Sequence, residues 1–232
     1  MRTIGLLGGM SWESSIEYYR IINEEVRARL GGTHSAKSVM YSVDFHQIEQ
    51  MQADGDWAAA TKTMVEAGRF LQSGGAECLL ICANTMHLMA EDVRAAIEIP
   101  LLHIADATAD AIRVSGVRSV ALLGTRYTME QDFYRGRLED RQGLEVLTPD
   151  AADRQIVHDV IYNELVRGRV EDRSRLEFLR IIEALVKSGA QGVIAGCTEI
   201  ELLVKPEHVS VPYFPTTRLH ALAAVEWSLA DR

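Results

Sequence analysis

The sequence predicts an α/β protein made of two similar lobes, each a parallel sheet covered by helices on both faces. Three observations carry that expectation: apolar runs alternate with helical stripes, the runs end in glycine or small polar residues, and three of them recur in the same order. Gly75–Thr85 lies over Gly189–Glu199 without a gap, at an offset of 114 (75 to 189). Thr3–Gly9 resembles Ser119–Thr125 at 116 (3 to 119), and Ile99–Leu102 resembles Val211–Phe214 at 112 (99 to 211). Buried parallel strands read as apolar runs before glycine whatever their ancestry, so each match alone is weak. Three in order at nearly one spacing read as a duplicated βαβ lobe.

Taken in order, Leu6 and Leu7 end a first strand, and Trp12, Ile16, Tyr19, Ile22, Val26 and Leu30 recur every three or four residues as the stripe of a helix that Ser11 is placed to cap. Val39 to Phe45 reads as a strand, Trp57 to Gln72 as a helix, Cys78 to Cys82 as a strand, and Met86 to Ile97 as a helix that Pro100 keeps from extending. Leu101 to Ile104 and Val120 to Leu123 are strand-like, on either side of a helix from Asp106 to Val114. The alternation then repeats: a helix from Met129 to Arg141, a strand from Leu144 to Leu147, helices over Arg154–Arg167 and Arg173–Lys187, a strand from Gly192 to Ala195, and a closing helix from Thr217. The expected lobes are 1–100 and 101–216, with the closing helix 217–232 packing back on the first.

A chain of 232 residues can bury roughly 70–75% of its unfolded surface and needs no covalent staple. Its formal charge of −9, with no Lys/Arg cluster, argues against nucleic acid or an anionic membrane as partner and leaves small molecules. Three cysteines form neither a secreted disulfide framework nor a paired zinc pattern, and they suit a reducing cytoplasm. No run approaches the ~18 apolar residues of a membrane span, and no export signal is evident.

Sites in parallel sheets lie beyond the carboxyl ends of the strands. Here those ends are Gly8-Gly9-Met10-Ser11, Ala83-Asn84-Thr85, Gly124-Thr125-Arg126-Tyr127-Thr128 and Gly196-Cys197-Thr198-Glu199. Lobes related by a pseudo-two-fold would bring them to one cleft. Cys197 sits where a strand gives way to a helix, and free N–H groups there would lower its thiol pKa and let it move a proton near neutral pH; a small buried core residue is the bland reading. Its counterpart in the repeat is Ala83, so proton chemistry would be one-sided. Strand alternation turns Cys82 away from Ala83, which leaves Cys82 a substitute only if the strand end bulges, and Cys78 is core. Asn84, Thr85, Thr198 and Glu199 could hold a carboxylate or cap helices. Gly5, Gly8 and Gly9 do not form the dinucleotide fingerprint, and Arg126 is a lone cation. His87 and His103 read as isolated, and no metal is expected.

On Thr3–Trp12, Asn84-Thr85-Met86-His87, Gly124–Met129 and above all Gly196-Cys197-Thr198-Glu199, nearly the whole chain resembles the aspartate/glutamate racemase family, in particular its cofactor-independent branch acting on both amino acids. The resemblance implies two flavodoxin-like lobes, a cleft on the pseudo-two-fold, dimers, and no cofactor. It also implies a 1,1-proton transfer on aspartate or glutamate, with Cys197 as one acid/base and the residue before Asn-Thr as the other. That residue is usually cysteine or, in the most similar branch, threonine; here it is Ala83. Asn84, Thr85 and Thr198 carry over as ligands of the α-carboxylate, and Met10, Gln52 and Thr128 as pocket walls by position. Two other readings stay open: a decarboxylase or isomerase of the same superfamily that protonates an enolate through one cysteine, and a protein that binds a dicarboxylate without turning it over.

Overall fold

The computed structural model describes residues 1–230. They fall into two compact units, Met1–Ile104 with the stretch from His220 onward, and Ala105–Leu219. In the first unit the elements are β1 (Ile4–Gly8), α1 (Trp12–Leu30), β2 (Ser38–Ser42), α2 (Phe45–Asp54), α3 (Trp57–Ser73), β3 (Cys78–Ile81), a 3₁₀ turn (Thr85–Met89) and α4 (Ala90–Ala95). Helix α5 (Ile104–Ser115) leads into the second unit, with β4 (Ser119–Gly124), α6 (Arg126–Glu130), α7 (Asp132–Gln142), β5 (Glu145–Leu147), α8 (Ala151–Asn163), α9 (Asp172–Lys187), β6 (Val193–Gly196), α10 (Ile200–Leu203) and β7 (Tyr213–Pro215). Helix α11 (Thr216–Leu229) begins in the second unit and ends in the first; the last two residues expected of it lie outside the described residues.

Both sheets are parallel, ordered β2-β1-β3 in the first unit and β5-β4-β6-β7 in the second. The repeat seen in the sequence holds in their register. Gly5 pairs with Leu79 in one sheet and Ala121 with Val193 in the other, which are the same two positions after offsets of 116 (5 to 121) and 114 (79 to 193). An isolated bridge joins Leu79 to Leu101, and its counterpart is the pairing of Val193 with Tyr213. Alternation sorts the side chains of the β3 segment onto two faces: Leu79, Ile81 and Ala83 join one apolar cluster, and Cys78, Leu80 and Cys82 another. In the second unit Val193, Ala195 and Cys197 share one face.

Four expectations need correction. The strand expected to reach Phe45 stops at Ser42, because the Asp44 carboxylate accepts the His46 N–H at 3.1 Å and starts α2. The helix expected over 86–97 is a 3₁₀ turn followed by the short α4, and the strand expected over 101–104 is reduced to the bridge at Leu101. Helix α1 forms where expected, capped by Ser11, but most of its apolar stripe faces outward: Trp12, Ile16 and Tyr19 are 60%, 51% and 52% exposed. Its buried face is Ser14, Ser15, Tyr18, Ile21, Ile22 and Val26. Hydrogen bonding explains the rotation. Ser15 Oγ accepts the Gly9 N–H at 2.7 Å and donates to the Ser11 carbonyl at 3.1 Å, while the Tyr18 hydroxyl meets His220 Nδ1 at 2.8 Å. Polar groups so paired are buried at little cost, and periodicity of apolar residues alone cannot reveal them.

Candidate active site

In the first unit the tips of β1 and β3 carry the expected residues. The turn after β1 passes close to the chain after β2: Gly9 has φ +90°, and a Cβ there would lie 2.3 Å from the Val43 carbonyl oxygen, so only glycine fits. Met10 then packs with Ala83 and Met86 in one cluster, and Gln52, presented by α2, donates its amide to Met86 Sδ at 3.2 Å. Ala83 is 7% exposed, and Asn84 and Thr85 are likewise nearly covered. Met10, Gln52, Ala83, Asn84 and Thr85 are thus carried on neighbouring elements of one sheet end. Cys82 is not with them. It is fully buried on the opposite face among Ile4, Leu6 and Tyr18, where burial pushes its thiol far above the ordinary range; Cys78, on the same side, is pushed up to about 12, chiefly by burial. No bulge brings Cys82 round to the Ala83 side.

In the second unit Gly124 and Gly196 end paired strands, and a Cβ on either would lie 2.8 Å from a carbonyl oxygen of the other strand. Their absence of side chains lets the fully buried Thr128 pack its methyl against both tips, while its hydroxyl lies 3.3 Å from that of Thr125. Cys197 follows, 9% exposed, with Thr198 and Glu199 beside it. The Cys197 thiol donates to Glu199 Oε2 at 2.9 Å, and the Thr198 hydroxyl donates to the same oxygen at 2.6 Å. This corrects the expectation of a depressed thiol pKa. Burial, then the charge of Glu199 and its acceptance of the thiol proton, hold Cys197 well above the ordinary range. The helix that follows is only the four-residue α10, too short and too late to offset them. Glu199 is therefore turned to the thiol. Arg126 is exposed and leans on the Tyr127 ring, with its guanidinium 3.1 Å from the Tyr127 hydroxyl.

These two strand ends are alike in register and unlike in the side chain at residues 83 and 197. Residues 7–224 match the model of the family described as Asp/Glu/Hydantoin racemase. The chain belongs to that family. Among solved structures of this racemase family, a candidate Asp/Glu racemase from Yersinia pestis is 54% identical, with 99% of this chain and 100% of that one covered and a TM-score of 0.92. PH1733 from Pyrococcus horikoshii OT3, described as an aspartate racemase homologue, is 35% identical over 99% and 100% of the two chains, with a TM-score of 0.85. The broad-specificity amino-acid racemase RacX of Bacillus subtilis is 21% identical over 98% of both chains.

Two neighbours of residue 83 escape sequence reasoning. Met86 is one, hidden because a methionine after Asn-Thr reads as helix core. The other is His87, which is far from isolated: its ring lies 4.5 Å from that of His103 and 5.6 Å from that of His220. His103 comes from beyond α4, just before α5, and the third ring comes from α11, so no local periodicity links the three. Among the described residues no three His, Cys, Asp or Glu side chains form a group able to hold a metal, and no helix is long and apolar enough to cross a membrane.

Proposed function

We propose that the chain acts on aspartate and glutamate by 1,1-proton transfer without pyridoxal phosphate, and that Ala83 leaves it with one of the two proton carriers this needs. One observation carries the reading. Leu7 pairs with Ile81 and Leu123 with Ala195, so residues 83 and 197 stand at the same station beyond repeated strands, one bearing a methyl and the other a thiol. Inversion of an α-carbon requires a proton to leave one face and another to arrive on the opposite one. In this reading Cys197 serves one face. Asn84, Thr85 and Thr198 bind the α-carboxylate, and Met10, Gln52 and Thr128 shape the walls. The resting thiol is protonated and ready to donate. To abstract instead, it passes its proton to Glu199 across the 2.9 Å hydrogen bond, and the thiolate takes the α-hydrogen; one proton then rests on the carboxylate and one on sulfur. The carboxylate-binding donors take up the charge left on carbon. The family match supports the reaction class, and the descriptions of the Yersinia and Pyrococcus proteins support the acidic substrates.

The test is α-deuterium incorporation in D₂O from each enantiomer of aspartate. Deuterium is expected in one enantiomer, with little interconversion. Equal exchange of both with rapid inversion would place a second carrier somewhere other than residue 83. Exchange in neither, despite tight binding, would leave a dicarboxylate-binding protein. A lone thiol also favours a second reading, protonation of a planar enolate from one side; enantioselective decarboxylation of a disubstituted malonate would establish it.

The same proposal includes a homodimer in a reducing cytoplasm. The outward stripe of α1, Trp12, Ile16 and Tyr19, is the apolar surface a second copy would cover, and all three cysteines are free thiols. Sedimentation velocity is expected to show a dimer that Ile16→Glu converts to monomer; a monomeric parent ends this part of the proposal.

A further inference from the structure

The histidine cluster of the first unit lies directly under the station at residue 83. His87 Nδ1 is 2.8 Å from the Ala83 carbonyl oxygen, and the Ile104 backbone N–H donates to His87 Nε2 at 3.2 Å. A carbonyl only accepts and a backbone N–H only donates, so the ring proton must sit on Nδ1 and the ring must be neutral. His220 shows the opposite arrangement. Its Nε2 faces the Leu102 carbonyl oxygen at 2.8 Å and so carries the proton, leaving Nδ1 to accept from the Tyr18 hydroxyl at 2.8 Å. His87 is 2% exposed and His220 is fully buried.

His87 grips the strand tip twice, since its own backbone N–H also donates to the Asn84 carbonyl at 3.0 Å. In a planar trans peptide the C=O and the following N–H point in opposite directions. Turning the carbonyls of Ala83 and Asn84 toward His87 therefore turns the amide N–H groups of Asn84 and Thr85 away from it. The Asn84 carbonyl is held by the 3₁₀ turn itself, whereas the Ala83 carbonyl is held by the ring and would lose that donor if the ring were removed or its proton moved.

We propose that His87 is a positioning residue: locked as the neutral Nδ1–H tautomer by Ile104, it fixes the peptide between residues 83 and 84 and so aims the Asn84 amide at the substrate carboxylate. Its role toward substrate rests on the functional reading above, whereas the tautomer does not. The ring acts through the backbone and touches no reacting atom.

Two variants and one spectrum test it. In ¹⁵N-labelled protein the His87 ring, assigned by its loss in His87→Asn, is expected as neutral imidazole with its proton on Nδ1, and His220 with its proton on Nε2. His87→Asn places an amide donor near the Nδ1 position, whereas His87→Leu removes the donor. The KM for aspartate in α-deuterium exchange is expected to rise about tenfold in the leucine variant, the worth of one hydrogen bond to a charged group. It should stay within about twofold in the asparagine variant, with kcat little changed in both. The Asn84 amide resonance should move in the first and not in the second. A proton on Nε2 of His87, or equal losses in both variants, would overturn the proposal. If the parent neither binds nor exchanges aspartate, the assignment of substrate fails, while the ring spectrum and the Asn84 resonance still decide the clamp. If His87→Leu does not fold, the ring spectrum and an unmoved Asn84 resonance in His87→Asn decide it.

Discussion

Ala83→Thr is expected to raise the rate of L-aspartate inversion by about 10²–10⁴-fold, the usual worth of a positioned acid/base. The enantiomer that is silent toward exchange in the parent should begin to exchange in the variant. Room for the hydroxyl decides how much of that gain is realised. Ala83 shares its cluster with Met10 and Met86, two unbranched side chains able to shift aside, and Gln52 reaches that cluster with an amide able to rebond. Chiral chromatography of the reaction measures the effect. Inversion no faster than in the parent, in a variant that remains folded, would show that residue 83 is not the missing station.

Cys197→Ala is expected to cost about 10²–10⁴ in the rate of the exchange that the parent does show, because no other thiol lies at its strand end. Cys78 and Cys82 belong to the other unit and are buried beside Leu80. The same thiol makes a pH prediction. Burial first, and the neighbouring carboxylate of Glu199 second, hold it protonated, so alkylation should be slow at pH 7 and accelerate only above the ordinary thiol range. A thiol whose folded pKa lies above its unfolded one adds stability that is fully present below the unfolded value, and that stability is lost as pH rises toward the folded one. Thermal stability should accordingly fall on the alkaline side, and Cys197→Ala should remove that part of the fall. Glu199→Gln removes the charge beside the thiol and leaves burial, the larger cause, so alkylation should quicken only in part. A thiol that alkylates as fast as free cysteine at pH 7 would contradict the buried pairing.

Much of this was legible in the residues. Three matched segments announced a doubled sheet, and the sheets repeat even their pairing partners, because buried parallel strands must be apolar throughout and must end where glycine permits close approach. The stations at Ala83 and Cys197 followed from that register. What stayed hidden depended on polar groups that are satisfied at a distance. Ser15 and Tyr18 look like solvent-facing positions until Gly9 and His220 supply their partners, so apolar periodicity alone assigns α1 the wrong buried face. A helix starting at Phe45 was masked by a β-rich run, although Asp44 is a good cap. The state of Cys197 is not legible in the sequence because a generic strand-to-helix junction says nothing of burial or of a carboxylate two residues on that folds back to the sulfur.

Helix α11 gives the molecule an order of assembly. Ala221, Ala224 and Val225 complete an apolar cluster whose other members begin at Ile4, and Ser228 and Trp227 close on Arg2. The first unit therefore completes this cluster only with α11 in place, although its sheet is built from the stretch between Ile4 and Ile81 alone, whereas Ala105–Leu219 is one continuous stretch of sequence. One unit can thus form from an uninterrupted segment, and the other must gather its parts from both sides of it.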